Sequence, residues 1–184
     1  TDLFKINRLT NISKANIKIA CCVDDEQNII NINNSAKEKN TSIDLFIEFD
    51  CGANRCGLQS HSEIKNLISL INSLKFVKFV GFQAYNGSIQ HIENFVLRKQ
   101  EVVKTCNKIK ELKNSFKEFS PIITGVGTGC FDLEVSENIY DEIQVGSYAF
   151  MDAHYSSLKH DNKLNNTNNF ENSLFILASV MSKA

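Results

Sequence analysis

No run in the 184 residues approaches the ~20 consecutive apolar side chains that a membrane span requires. No cluster of one charge stands out either. Lys and Arg number 20 against 21 Asp and Glu, for a net charge of -1. The basic residues are scattered, which argues against a nucleic-acid footprint. Six cysteines occur but none forms a C-x-x-C pair. Cys21 and Cys22 are adjacent on an expected strand, so they point to opposite faces. A disulfide framework or zinc site is therefore not expected. Reduced, buried thiols in a cytosolic protein are. No G-x-G-x-x-G follows the first expected strand, which weakens a nucleotide-binding open sheet. No secretory signal is legible, the first residue is Thr1 rather than Met, and the last residues fall inside an apolar run. The expectation is a fragment.

What is present is an alternation of two periodicities. Asp2–Asn16 has apolar residues near helical spacing, and a strand is expected at 17–23. Asp24 and Asp25 read as a cap and a first-turn charge for a helix over Glu26–Lys39. A second strand, 44–50, runs into the turn Cys51-Gly52-Ala53-Asn54 and then Arg55. Ser60 or Ser62, with Glu63, forms a capping box for a helix to Leu74, with His61 at its start. A third strand is expected at 78–85 and a long helix at Gln90–Phe116. A short fourth strand at 121–125 runs into Gly125-Val126-Gly127-Thr128-Gly129. Ser136–Tyr140 reads as a brief helix or turn, and a fifth strand is expected at 142–148. Residues 159–169 are Asn-rich and read as a linker. Such alternation predicts right-handed βαβ units and a parallel sheet, as part of a (β/α)8 barrel or as an open doubly wound sheet.

In parallel α/β folds ligands collect at the carboxyl ends of the strands. Read in turn, those ends carry Asp50 and Arg55; Gln83, Tyr85 and Asn86; Gly125–Gly129 with Thr128; and Gly146, Ser147 and Tyr148. Polar, glycine-rich ends on four successive strands are hard to explain by packing alone. Arg55, between Gly52 and Gly57, suits an anion or is a solvated loop cation. The Gly125–Gly129 loop offers unobstructed N–H groups and a hydroxyl, as phosphate nests do. Tyr85 either lies flat on an aromatic ligand or is a core-edge tyrosine with a wet hydroxyl. His91 reads as a cap of the long helix. Asp152 and His154 read as a solvated loop, since one acid–His pair falls short of a metal site.

Four motifs carry a resemblance: Cys51-Gly52-Ala53-Asn54-Arg55-Cys56-Gly57, Gly81 through His91, Gly125 through Gly129, and Gln144 through Asp152. In this order they resemble the D-threonine aldolase / D-serine dehydratase family, which includes the 3-hydroxy-D-aspartate aldolases and dehydratases. These are pyridoxal 5'-phosphate enzymes of the alanine-racemase fold type. The resemblance implies a partial (β/α)8 TIM barrel over residues 1–158, a linker, and the start of a truncated C-terminal β domain at 170–184. It implies that Arg55 meets the cofactor's phenolic oxygen, with Tyr85 against the pyridine and Gln83 beside it, making Arg55 and Tyr85 the catalytic candidates. Gly127, Thr128 and Gly129 bind phosphate, aided by Gly146, Ser147 and Tyr148. Gln144 stands where alanine racemases send an Arg to the pyridine nitrogen. Val126 departs from a family Gly, Asn86 from a usual His, and His154 from a usual acid. The family's Schiff-base Lys precedes everything in this chain, and its divalent-metal ligands lie beyond it. The implied activity is a lyase on D-3-hydroxy amino acids, either retro-aldol cleavage or dehydration to release ammonia. A non-catalytic pyridoxal-phosphate carrier on the same barrel is the alternative of another class. The expected partner is a small D-amino acid in the cytoplasm, with no nucleic acid or membrane. A homodimer of the full-length protein is compatible with this reading.

Overall fold

The structure, a computed structural model, describes residues 2–158 and 170–183. Its core is one sheet of five parallel strands in sequence order. These are β1 (Ala20–Val23), β2 (Ile43–Glu48), β3 (Val77–Ala84), β4 (Ile122–Gly125) and β5 (Glu142–Ile143). The helices are α1 (Leu3–Lys14), α2 (Glu26–Glu38), α3 (His61–Ser73), α4 (Phe95–Ser115), α5 (Phe131–Ser136) and α6 (Ala153–Ser157). An unreversed parallel order is the arc of a barrel rather than a doubly wound sheet, whose strand order turns back at a switch point.

The strand pattern sets the two faces. Ile43, Leu45 and Ile47 of β2, Phe82 of β3 and Ile123 of β4 are fully buried. They meet the apolar stripes of the helices, such as Ile64, Leu67, Ile68 and Ile71 of α3. Toward the carboxyl ends the other face carries the polar Cys22, Glu48, Gln83 and Thr124, with Phe46 one step back along β2. Helix starts follow their capping residues. Asp25 accepts the Asn28 amide at 2.8 Å, Ser60 accepts that of Glu63 at 3.4 Å, and Asn94 accepts that of Leu97 at 3.0 Å.

Several boundaries differ from the sequence reading. β1 starts at Ala20, not Ile17, because β2 offers it partners only from Asp44 onward. The long helix starts at Phe95, not Gln90. A 3-10 turn over Gly87–His91 precedes it, capped by the Asn86 side chain. The buried Arg98 closes that segment by donating to the Ile92 and Glu93 carbonyls. His91 therefore does not cap the long helix; Asn94 does. The helix expected at Ser136–Tyr140 lies at Phe131–Ser136. β5 keeps only two of the seven expected residues, and Ser147–Ala149 form a 3-10 turn. No strand flanks β5 on its other side among the described residues, so past Gln144 nothing holds the chain extended. The expected linker at 159–169 lies outside the described residues. Residues 170–183 contain no helix or strand, and Leu174, Phe175, Ile176 and Leu177 are exposed.

Candidate functional site

The carboxyl end of β2 folds back on itself. Leu58 N–H donates to the Glu48 carbonyl at 2.9 Å, and Asp50 N–H donates to the Leu58 carbonyl at 3.0 Å. Gly57 permits this at φ +97°, where a Cβ would lie 2.8 Å from Glu48 Cγ and 2.9 Å from Asp50 N. Asp24 accepts the Gly57 amide at 2.9 Å, so it ties this loop down rather than serving the first turn of α2. Asp50 accepts the Gly52 and Asn54 amides at 3.0 Å each and the Gln59 side chain at 2.8 Å. Partial burial raises its pKa, but these hydrogen bonds outweigh that and hold it below the ordinary value. The result places Arg55 and Cys56 over Glu48. Arg55 Nη2 lies 3.8 Å from Glu48 Oε1, and Cys56 Sγ donates to the same oxygen at 3.7 Å. Arg55 is exposed and close enough to Tyr85 to act on its hydroxyl electrostatically. Tyr85 is half-buried, and burial pushes its pKa up.

The glycine-rich loop after β4 is fixed from below by two buried groups. Glu134 accepts the Gly127 amide at 3.3 Å, the Gln90 side chain at 3.2 Å and the Tyr140 hydroxyl at 3.1 Å. Gln90 Oε1 accepts the Gly129 amide at 2.9 Å. The amides of Gly127 and Gly129 are thus spent inside the protein, contrary to the expectation that they face a phosphate. Their lack of side chains serves packing, since a Cβ at Gly127 would strike the Gln90 side chain and one at Gly129 the Gln90 carbonyl.

The surface that remains for an anion is different. Tyr148 N–H donates to Thr128 Oγ1 at 3.2 Å, joining the loops after β4 and β5. Among the described residues, no acceptor meets the amides of Thr128, Gly146 or Ser147. A Cβ on Gly146 would meet nothing within 4 Å, so open space lies in front of it. Unpaired amides beside a hydroxyl fit a phosphate. Gly146, Ser147 and Tyr148 come from a loop rather than the expected strand, and all three are exposed.

Between the two loops runs a polar layer on the interior face. Gln144 Nε2 donates to Gln83 Oε1 at 3.0 Å and to Thr124 Oγ1 at 2.9 Å. Cys22 Sγ donates to Gln83 Oε1 at 2.9 Å. The structure thus brings Arg55 to Tyr85, Gln83 to Gln144, and Thr128 to Tyr148, all at the carboxyl ends of the strands. Glu48, Gln90 and Glu134 were not singled out from the sequence. An acid on the face of β2 opposite Ile47 was a legible signal for Glu48. Glu134 had none and Gln90 was visible only within the Gly81–His91 motif, because the importance of both comes from a contact between residues 44 apart in the chain.

Elsewhere, His91 packs at a tilt against His154 and Tyr155, with ring centroids 4.6 Å and 5.0 Å away. Asp152 caps α6 by accepting the Tyr155 amide at 2.9 Å. Among the described residues, no group of three or more His, Cys, Asp or Glu could hold a metal. All six cysteines are free thiols. Among the described residues, no helix is long and apolar enough to cross a membrane.

The model of the alanine racemase N-terminal domain family matches residues 4–154. The chain is similar to a 3-hydroxy-D-aspartate aldolase of Paracoccus denitrificans, 37% identical over 185 residues, covering 98% of this chain and 48% of that protein. It is similar to a D-threonine aldolase of an Arthrobacter species, 35% identical over 173 residues, covering 90% of this chain and 44% of that one. The crystal structure of a D-threonine aldolase from Filomicrobium marinum superposes with a TM-score of 0.86 at 26% identity, covering 99% of this chain and 49% of that one. The chain thus spans about half the length of the relatives it matches.

Proposed function

The chain belongs to the alanine racemase N-terminal domain family, and from that premise we propose that it supplies the cofactor-binding barrel residues of a pyridoxal-phosphate lyase. The proposed substrates are D-3-hydroxy amino acids of the D-threonine or 3-hydroxy-D-aspartate class, cleaved between Cα and Cβ to glycine and an aldehyde or oxoacid. The aldolase names of the relatives support cleavage over dehydration. The observation that carries the cofactor reading is the cradle of Thr128, Gly146 and Ser147 amides beside the Thr128 hydroxyl. The bound group supplies an electron sink for the pair left at Cα.

In this reading Thr128 and the two loop amides hold the phosphate and fix one end of the ring. Gln144 would face the ring nitrogen, Tyr85 would pack on the ring, and Arg55 would hold the phenolic oxygen. Gln90 and Glu134 keep the glycine-rich loop in shape without touching the ligand. Residues 170–184 would lead toward a second, β-rich domain, and the protein would act in the cytoplasm.

Arg55→Ala and Thr128→Ala, made in the full-length protein, test this. Loss of one charge-assisted hydrogen bond at Thr128 should cost about 1.5–3 kcal/mol of cofactor affinity, with near-normal turnover at saturation. Arg55→Ala should change the absorbance of the bound cofactor and lower turnover even at saturation. Full turnover and an unchanged spectrum of Arg55→Ala with excess cofactor would make Arg55 a solvated loop cation.

A further inference from the structure

The polar layer on the interior face has a direction, and one acid sets it. Gln83 Oε1 accepts two hydrogen bonds, from Cys22 Sγ at 2.9 Å and from Gln144 Nε2 at 3.0 Å. Its Nε2 is therefore the end left for Glu48, the residue paired with it across the sheet, whose charged form Gln83 favours. Burial raises the Glu48 pKa, while Gln83, Arg55 and Cys56 pull toward its charged form, and in that form the carboxylate can only accept. Reversing the Gln83 amide would set oxygen against carboxylate and turn its donor toward the Gln144 donor. The Cys22 thiol agrees with this order. Burial and then the Glu48 carboxylate push its pKa up to about 12, so it remains a protonated donor.

The consequence reaches Gln144. Both of its amide hydrogens are used, on Gln83 Oε1 and on Thr124 Oγ1 at 2.9 Å. Only its carbonyl oxygen remains to face a ligand. We propose that Glu48 is a positioning residue that, through Gln83, locks Gln144 with its carbonyl oxygen toward the ligand, so that the site accepts a hydrogen bond from a protonated ring nitrogen. The identity of that ring rests on the function proposed above. The role of Glu48 goes beyond it, because Glu48 acts on Gln144 only through Gln83. Its own surroundings are Arg55, Cys56, Asp24 and Cys22. Arg55 and Cys56 both meet Glu48 Oε1, at 3.8 Å and 3.7 Å, and hold the carboxylate in place.

The test is ring-nitrogen 15N NMR of labelled pyridoxal phosphate bound to the full-length protein, titrated with pH. The wild type and Gln144→Glu, which keeps an acceptor of the same shape, should both hold the ring nitrogen protonated at neutral pH. Gln144→Lys, which presents only donors, should hold it unprotonated. Glu48→Gln, which gives the amide chain no fixed direction, should lower the proton affinity of the ring nitrogen about tenfold, or about one pH unit. Gln83→Leu should do the same with Glu48 intact, and the double variant should add nothing further. An unprotonated ring nitrogen in the wild type overturns the proposal. So does a proton affinity unmoved by the near-isosteric Glu48→Gln, or effects of Glu48→Gln and Gln83→Leu that simply add. Failure to bind the cofactor at all would sink the functional reading and this inference together. A bound cofactor with the wrong protonation state sinks this inference alone.

Discussion

Val126 is fully buried yet sits at φ +70°, a conformation that strains a β-branched residue by roughly 1–3 kcal/mol. That strain is local, in the glycine-rich loop after β4, and the clamp beneath it holds it in place. The centre of the clamp is Glu134, whose carboxyl is 0% exposed. Burial raises its pKa from 4.5, against the opposing pull of Gln90, the Gly127 amide and Tyr140. An acid whose folded pKa exceeds its unfolded value binds its proton more tightly when folded. Its contribution to stability is therefore greatest below 4.5 and declines as pH rises through the raised value. We expect Glu134→Gln to remove that decline. The stability of wild type relative to the variant should fall as pH climbs above the ordinary carboxyl range. Thermal denaturation of both full-length proteins across pH checks this. A difference that stays constant with pH would mean that Glu134 titrates as it does in the unfolded chain.

At the scale of elements, the fold-back after β2 links sheet to site. The strand end, the turn and the return at Leu58 form one unit, with Phe49 bridged to Leu58. That unit sets where Arg55 stands over Glu48. Gly57 is its most constrained residue, because both its φ of +97° and the nearby Glu48 and Asp50 atoms oppose a side chain. Gly57→Ala is expected to destabilise the full-length protein by about 1–3 kcal/mol, as measured by chemical denaturation. A loss under ~0.5 kcal/mol, the range of an ordinary surface change, would show that the loop relaxes freely. The Ser60 cap of α3 begins just beyond and is built from purely local contacts.

For the whole molecule, stability should fall away from the centre of the sheet. β2 and β3 carry Ile43, Leu45, Ile47 and Phe82, all fully buried, and share six registered residue pairs. β4 and β5 share two. The loop after β5 is exposed through Phe150. Hydrogen exchange should therefore be slowest in β2 and β3 and much faster at Ser147–Phe150, with β5 between them. Cofactor should slow exchange most at Thr128, Gly146 and Ser147, whose amides have no acceptor among the described residues. Equal protection of β5 and β2 would contradict the described packing, and no response of those amides to cofactor would contradict the proposed phosphate site.

The amino-acid order alone determined the strand and helix alternation, the parallel sheet, the polar strand ends and the family motifs. These rest on short-range periodicity, on local caps such as Asp25 and Ser60, and on contiguous residues such as Gly125–Gly129. Tertiary structure decided what those ends can do. A two-residue β5 follows from having no neighbour strand on its outer edge among the described residues, which no local pattern reports. The start of α4 moved to Phe95 because a buried Arg98 and the Asn86 cap hold Gly87–His91 in a 3-10 turn. Gly127 and Gly129 turned inward because Glu134 and Gln90 took their amides, while the amides of Thr128, Gly146 and Ser147 meet no acceptor among the described residues. The direction of the Gln83–Gln144 amides depends on Glu48, 35 positions before Gln83 in the chain and beside it in the sheet. Hydrogen-bond polarity between residues so far apart is set only when the sheet closes, because each amide takes its direction from a partner the chain brings up by folding.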